Sequence, residues 1–366
     1  MPVGKIVTAI GLMSGTSLDG IDVALVKTDG VTIVRPGPGI GIPYDPVFRE
    51  RLRGCLGKTA NQPGVADVAR ELTLRSAAAV HLLLDQNGVS RSDIDVIGFH
   101  GQTTLHRPER RLTVQVGDGA LLARETGVPV VCDFRSADVA AGGQGAPFAP
   151  LYHAALADTV DKPLAVLNIG GVANVTWIGG RGPQDILAFD TGPGNALLDD
   201  WTAAAIDRPM DEGGRLARGG AVHGERLAAL LDNDYFRQPP PKSLDRDDFS
   251  TDALNGLSAA DGAATLTALS IAAIVRGRDY FPAPASRWLV CGGGRKNGYL
   301  MEQLAGALAV PVDPVETVGW DGDMLEAQAF AYLAVRSLSG LAISLPTTTG
   351  APEPLSGGTL FLPEAG

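Results

Sequence analysis

Two stretches half a chain apart repeat one pattern: a run of strand-forming residues, a glycine-bearing turn and a second such run. The first is IVTAIGLMSGTSLDGIDVALVKT, residues 6–28, and the second is LAVLNIGGVANVTWIGG, residues 164–180. In the first, Ile21, Val23 and Leu25 alternate with other side chains, the period of a half-buried strand. Asp19-Gly20 is a dipeptide preferred where both turn residues take positive φ. The echo predicts two similar halves, each offering a turn to one ligand in a cleft between them. An ordinary hairpin with a polar tip explains Asp19-Gly20 and leaves Ser14, Gly15, Thr16 and Ser17 without a task. A phosphate cradle explains them, because glycine lets backbone N–H donors approach closely and hydroxyls add more donors. Both readings stand on the pattern. In the second, Asp19 or Asp22 holds Mg²⁺ through water, since Mg²⁺ keeps part of its hydration shell.

The intervening sequence predicts an α/β protein. With 366 residues, enough for about two domains, the chain carries 47 Gly and 25 Pro that punctuate short strands and helical patterns. Residues 65–86 place apolar side chains at three- and four-residue spacing and meet a stop at Gly88. Strands are expected at 94–99, 112–116, 128–132, 187–189 and 288–291, and helices at 119–126, 196–206, 265–276, 298–308 and 324–338. Residues 237–252, Pro-rich and then charged, suggest a surface loop or lid. Lys and Arg number 30 against 41 Asp and Glu, a net charge of −11. That balance argues against a nucleic-acid or anionic-membrane partner. Cys55, Cys132 and Cys291 are far apart and odd in number, as expected of reduced thiols in a cytoplasm. The N-terminus fits neither a signal peptide nor a membrane span.

Acid–base candidates end strands. Asp190, in AFDTGPGN, follows a short apolar run and precedes a Gly/Pro turn; it either caps that turn or projects a carboxylate into a cleft. Asp133 and Arg135 also follow a strand, and Arg135 suits a carboxylate or phosphate, or a surface ion pair. His100, Gly101 and Gln102 suit either sugar hydroxyls or structural hydrogen bonds. Glu326 lies in an apolar helix, facing solvent or, if inward, needing a polar partner. Gly57-Lys58-Thr59 ends like a Walker A loop, but Leu52 stands where its first glycine belongs. CGGGRKNG, residues 291–298, partly imitates a dinucleotide fingerprint, with Asn297 in place of its third glycine. It is equally a turn on which a nucleobase or ribose lies, or a plain tight turn.

Several of these stretches together resemble one family, the anhydro-N-acetylmuramic acid kinases: GLMSGTSLDGID, HGQTTLH, DFRSADVAAGGQGAPFAP, LNIGGVANVT, FDTGPGN, PPKS, CGGGRKN and LEAQAFAYLA, in family order along nearly the whole chain. The resemblance implies an α/β fold of two RNase H-like lobes of the sugar kinase, Hsp70 and actin type, with an interdomain cleft. The lobes are expected at 1–127 plus 345–366, and at 128–344. ATP phosphates are implied at Gly15, Thr16, Ser17, Leu18, Asp19, Gly20, Ile21 and Asp22, with Mg²⁺ at Asp19. A second phosphate segment is implied at Asn168, Gly170, Gly171 and Asn174, and an adenosine-side turn at Gly292, Gly293 and Gly294. Asp190 is implied as the catalytic base, and His100, Gln102, Asp133, Arg135 and Glu326 as sugar-pocket residues. The implied reaction opens 1,6-anhydro-N-acetylmuramic acid while phosphorylating its oxygen 6 from ATP, for recycling of cell-wall sugars. A cytoplasmic homodimer is implied as well. After PPKS the chain departs from the family pattern with LDRDDF, so residues 244–249 receive no role. From another class, an actin- or Hsp70-like ATPase also uses two phosphate hairpins, without a sugar acceptor.

Overall fold

The structure, a computed structural model, describes residues 2–15, 17–244 and 248–363. The chain begins with a three-stranded meander: β1 (Val7–Ser14), β2 (Gly20–Thr28) and β3 (Val34–Pro43), each antiparallel to the one before. The chain then runs through α1 (Pro46–Arg53) and α2 (Val65–Asn87) to β4 (Val96–Arg107), which lies parallel to β1. Gly88, at φ 61°, ends α2 in the left-handed region where glycine carries no Cβ penalty. β5 (Leu112–Val116), α3 (Gly119–Thr126), β6 (Val130–Cys132), α4 (Ser136–Ala141) and α5 (Pro150–Leu156) follow. β6 is parallel to β4.

A second sheet starts the same way. β7 (Leu164–Ile169), β8 (Val172–Ile178) and β9 (Ile186–Pro193) form an antiparallel meander. A helical stretch of α6 (Ala196–Ile206), α7 (Arg215–Arg218), α8 (Gly224–Leu231) and α9 (Ala259–Gly277) leads to β10 (Arg287–Cys291), parallel to β7. α10 (Gly298–Leu308) leads to β11 (Val312–Pro314), parallel to β10. The chain ends with α11 (Leu325–Leu338) and β12 (Thr359–Phe361), and β12 pairs antiparallel with β6. The path β3-β2-β1-β4-β6 in one sheet and β9-β8-β7-β10-β11 in the other is therefore one topology used twice. Three antiparallel strands followed by two parallel ones reached through helices is the RNase H-like arrangement.

The chain divides into a unit of 1–159 with 323–366 and a unit of 160–322. This differs from the division expected from sequence, 1–127 with 345–366 against 128–344. The reason is strand pairing and helix packing: β6 completes the first sheet beside β4, and α11 packs on β1 and β4.

In the first unit one sheet face packs Ile10, Leu12, Val23 and Leu25 against Val68, Leu72, Val80 and Leu83 of α2. The opposite face carries a row of small residues. Gly39, Ala24, Gly11 and Gly98 pair in register across β3, β2, β1 and β4, and α11 lies directly on them. A Cβ on Gly11 would stand 1.7 Å from Ala327 O, and one on Gly98 would stand 2.1 Å from Phe330 O. Glycine in a strand interior here marks the approach of another backbone. In the second unit Leu167, Ile169, Val175, Trp288 and Val290 pack with Ile274 of α9 and Leu300 and Leu304 of α10. Residues 259–280 are long and apolar enough to cross a membrane by length and composition, yet within the unit α9 buries Leu266, Leu269, Ile271 and Ile274 in its core.

Gly98→Ala is expected to destabilise the protein by about 3 kcal/mol, because the added methyl meets backbone with nowhere to move. Gly306→Ala in α10, where nothing lies within 4 Å of the new Cβ, is expected to stabilise by about 0.5–1 kcal/mol. Urea unfolding of the two variants checks the contrast.

Candidate functional site

The first hairpin is not built on Asp19-Gly20. Leu18 takes the positive φ, 54°, and its N–H donates to Gly15 O at 3.1 Å. Gly20 instead opens β2, where a Cβ would stand 2.4 Å from Ile42 O of the neighbouring strand. Between the paired strands Ser17 and Asp19 are exposed, Gly15 is half-buried and Leu18 is buried. Thr16 lies outside the described residues. Ser17 Oγ donates to Asp19 Oδ1 at 2.7 Å, which fixes that carboxylate. Asp19 O accepts from Tyr44 N–H at 2.9 Å, tying the loop to the end of β3. Ile21 is buried and Asp22 half-buried, opposite Met13 in register. Ser14 is not a free donor: its Oγ lies 2.6 Å from both Tyr44 Oη and Gln102 Oε1.

The sugar-pocket candidates separate into two kinds. Gln102 is fully buried, with Oε1 on Ser14 and Nε2 donating to Thr103 O, so it braces the hairpin from inside. His100 is buried and both ring nitrogens are engaged: Nδ1 with Gly101 O at 2.8 Å and Nε2 with Arg135 Nε at 3.0 Å. Since a guanidinium only donates, Nε2 accepts and the ring is the neutral Nδ1–H tautomer. Burial first, and then the Arg135 charge, push the imidazole down to about 3. His100 therefore aims Arg135. Its Nη1 also donates to Gly145 O at 2.5 Å, and its guanidinium lies 5.6 Å from the Phe148 ring centroid. The loop carrying Gly145 is held in turn by the buried Asp138, whose Oδ1 accepts from Gly145 N–H and whose Oδ2 accepts from Thr349 Oγ1.

Asp133 and Glu326 face solvent. Asp133 takes a left-handed φ of 59° and accepts from Ser136 Oγ. Glu326 lies in the first turn of α11. The protein mass around it nonetheless raises its carboxyl above the ordinary range; Arg135 opposes that shift and Asp19 adds to it. Asp19, Arg135 and Glu326, from three distant stretches of sequence, thus share one neighbourhood in the first unit.

In the second unit three predicted segments meet. Asn168 and Asn174 face each other in register across the β7–β8 hairpin, with Gly170 and Gly171 at its tip. The Gly-Pro-Gly turn after Asp190 straps that tip: Asn195 N–H donates to Gly170 O at 2.7 Å and Gly194 N–H to Gly171 O at 2.9 Å. Gly292, at φ 73°, turns so tightly that a Cβ would stand 2.2 Å from Asn168 Oδ1. Gly293 and Gly294 continue this turn against Asn195 and Ile169. Asp190 pairs with Asn174 across β8 and β9 and is 7% exposed. Its Oδ2 accepts from Leu244 N–H at 2.8 Å, its N–H donates to Lys242 O at 3.1 Å, and its O accepts from Tyr235 Oη at 2.6 Å.

The segment 237–252, expected as a surface loop or lid, therefore includes a stretch that contacts Asp190. Residues 242–244 run along β9 and Lys242 is buried, whereas 245–247 lie outside the described residues. The surface-loop reading holds for most of the described part of the segment, and Lys242 is the buried exception. PPKS was the available signal.

Two RNase H-like units, each carrying a glycine-bearing hairpin, define the sugar kinase, Hsp70 and actin class. The anhydro-N-acetylmuramic acid kinase family model matches residues 7–363. A relative from Rhodospirillum rubrum named anhydro-N-acetylmuramic acid kinase is 60% identical over 360 residues, 97% of this chain and 94% of its own. One of the same name from Paramagnetospirillum magneticum is 55% identical over 97% of this chain and 99% of its own. Among solved structures, the ROK hexokinase of Thermus thermophilus matches with a TM-score of 0.40 at 18% identity, over 90% of this chain and 99% of its own. The chain belongs to the anhydro-N-acetylmuramic acid kinase family. Membership disfavours an ATPase without an acceptor.

His100 is expected to stay neutral and in the Nδ1–H form from pH 8 to pH 4, read by the nitrogen shifts of its ring. Below about 6.5 the unfolded chain takes up a proton that the folded one refuses until about 3. Burial of His100 therefore costs stability progressively as pH falls through that window. A ring that titrates near 6.5 in the folded protein contradicts this placement.

Proposed function

We propose that the chain transfers the γ-phosphoryl group of ATP to oxygen 6 of 1,6-anhydro-N-acetylmuramic acid while water opens the anhydro bridge, giving N-acetylmuramic acid 6-phosphate and ADP. The observation that carries the reading is the register of β8 and β9. It sets Asp190 beside Asn174 of the β7–β8 hairpin, on a strand whose following turn is strapped to that hairpin's tip. A base is thereby fixed relative to a phosphate-binding backbone.

The substrate has no free 6-hydroxyl, so a simple transfer to an alcohol is impossible. Asp190 takes a proton from water as the water oxygen bonds to the anomeric carbon. The bond from that carbon to oxygen 6 breaks, and oxygen 6 takes the phosphoryl group as the bond to ADP breaks. The geometry of attack resembles inverting glycoside hydrolysis, with ATP in the place of the general acid. Donors of the loop between β1 and β2, with those of Gly170 and Gly171, stabilise phosphate charge, and Gly292–Gly294 lie flat against adenosine. Arg135, aimed by His100, pairs with the lactyl carboxylate of the sugar, and Asp133 and Glu326 contact its hydroxyls. His100 and Gln102 act from behind, as braces.

The two carboxylates of the first hairpin fit Mg²⁺, which uses one or two carboxylates with phosphates and retained waters. Asp19, with Asp22, would hold it, and when bound it supplies neutralisation of developing phosphate charge. Under the same reading the chain acts as a cytoplasmic homodimer, with neither nucleic acid nor membrane as partner; its net charge of −11 supports the last two points.

Run in ¹⁸O-water with Mg²⁺-ATP and the anhydro-sugar, the reaction is expected to place solvent oxygen at the anomeric carbon and phosphate on oxygen 6, read by mass spectrometry before anomeric exchange. Hydrolysis of ATP with no sugar phosphate formed refutes the reading. Asp190→Asn is expected to bind both substrates and lose turnover by about 10²–10⁴-fold. Asp19→Asn is expected to raise the Mg²⁺ concentration giving half-maximal rate by about tenfold, the low end of what lost support for a metal costs; an unchanged Mg²⁺ dependence removes Asp19 from that role.

A further inference from the structure

The segment that holds Asp190 contains a cation with no task in the reaction as written. Lys242 is 6% exposed. Its Nζ donates to Tyr235 O at 3.0 Å and lies 4.4 Å from the Tyr235 ring centroid and 5.4 Å from that of Tyr280. Burying an ammonium is costly unless its charge is used, and two aromatic faces with one carbonyl only partly replace water. The same residues grip Asp190: Lys242 through its carbonyl, Tyr235 through its hydroxyl, and Leu244 through the N–H on the carboxylate. Lys242, Tyr235 and Asp190 therefore form a closed set of contacts within the second unit.

We propose that Lys242 is a positioning residue for the Asp190 base: its ammonium, anchored on Tyr235 and Tyr280, locks residues 235–244 along β9 and presents the Asp190 carboxylate in one orientation and one field. The proposal rests on Asp190 acting as the base. If the charge does this work, turnover depends on Lys242 keeping its proton. Burial draws the ammonium down to about 8, and Asp190 opposes that fall. Among the described residues the groups facing it are Asp190 from β9 and Tyr235 and Tyr280 from the flanking turns. The Tyr235 hydroxyl is pushed up by burial, Asp190 and Asp248, and so keeps its proton. The field at Asp190 therefore weakens as pH rises through about 8.

Lys242→Met, Lys242→Arg and Asp190→Asn are compared by steady-state kinetics across pH with Mg²⁺-ATP and the anhydro-sugar. Lys242→Met is expected to lower kcat by about tenfold to a hundredfold, the size of effect that misplacing a reacting group produces, with little change in KM for either substrate. The unaltered enzyme is expected to lose kcat above pH 8. Lys242→Arg, whose guanidinium does not release its proton, is expected to hold kcat to higher pH. A folded Lys242→Met enzyme with full kcat overturns the proposal. If that variant does not fold, Lys242→Arg decides, and an unmoved basic limb overturns the proposal. Near-normal turnover in Asp190→Asn overturns the base assignment itself. An inactive Asp190→Asn beside an unaffected Lys242→Met removes only the role of Lys242.

Discussion

The structure depends on one backbone-to-backbone contact: α11 lying on the glycines of β1 and β4. Layers ordinarily pack through the side chains between them, and the row Gly39, Ala24, Gly11, Gly98 removes that spacer. Carbonyls of Ala327 and Phe330 occupy the room that methyl groups would take. Such a seat leaves the helix little freedom to slide, because any shift drives carbonyl oxygen into strand backbone. Glu326, in the first turn of α11, inherits this rigidity from the sheet.

The two units apply one topology to different ends. In the first, the hairpin loop is long and polar, braced from below by Ser14, Tyr44 and Gln102. In the second, the hairpin turn is only Gly170 and Gly171, strapped from the side by Gly194 and Asn195. Bracing by side chains lets a loop carry hydroxyls and carboxylates, whereas strapping by backbone leaves a turn with no side chains of its own. The duplicated strands explain why both turns exist, and the supports explain why they differ.

Much of this was legible in the sequence where periodicity ruled. The helices at 119–126, 196–206 and 298–308 and the strand at 112–116 coincide with α3, α6, α10 and β5. β3 went unread because VRPGPGIGIP lacks the composition of a strand. Its glycines serve neighbours that single-sequence reading does not see, the Leu25 side chain at Gly37 and Met324 at Gly39. The same blindness moved the domain boundary, since no local pattern says that β6 and α11 belong with the N-terminal sheet. Of the site, the glycine turns and Asp190 were visible as motifs. That His100 and Gln102 face inward was not, because a strand's two faces look alike until the opposing layer is known.

The first unit is discontinuous: its sheet begins with β1 and is finished by β12, the strand paired to β6, while α11 and Thr349 also return to it after the second unit has been traversed. Domains generally fold as units during synthesis. The second unit, continuous over 160–322, can close its core as soon as it leaves the ribosome. The N-terminal meander emerges earlier and must wait, its bare glycine face uncovered, until residues 325–361 are made. Order of synthesis and order of completion are thus reversed, and the glycine row is the surface a nascent chain must shelter longest.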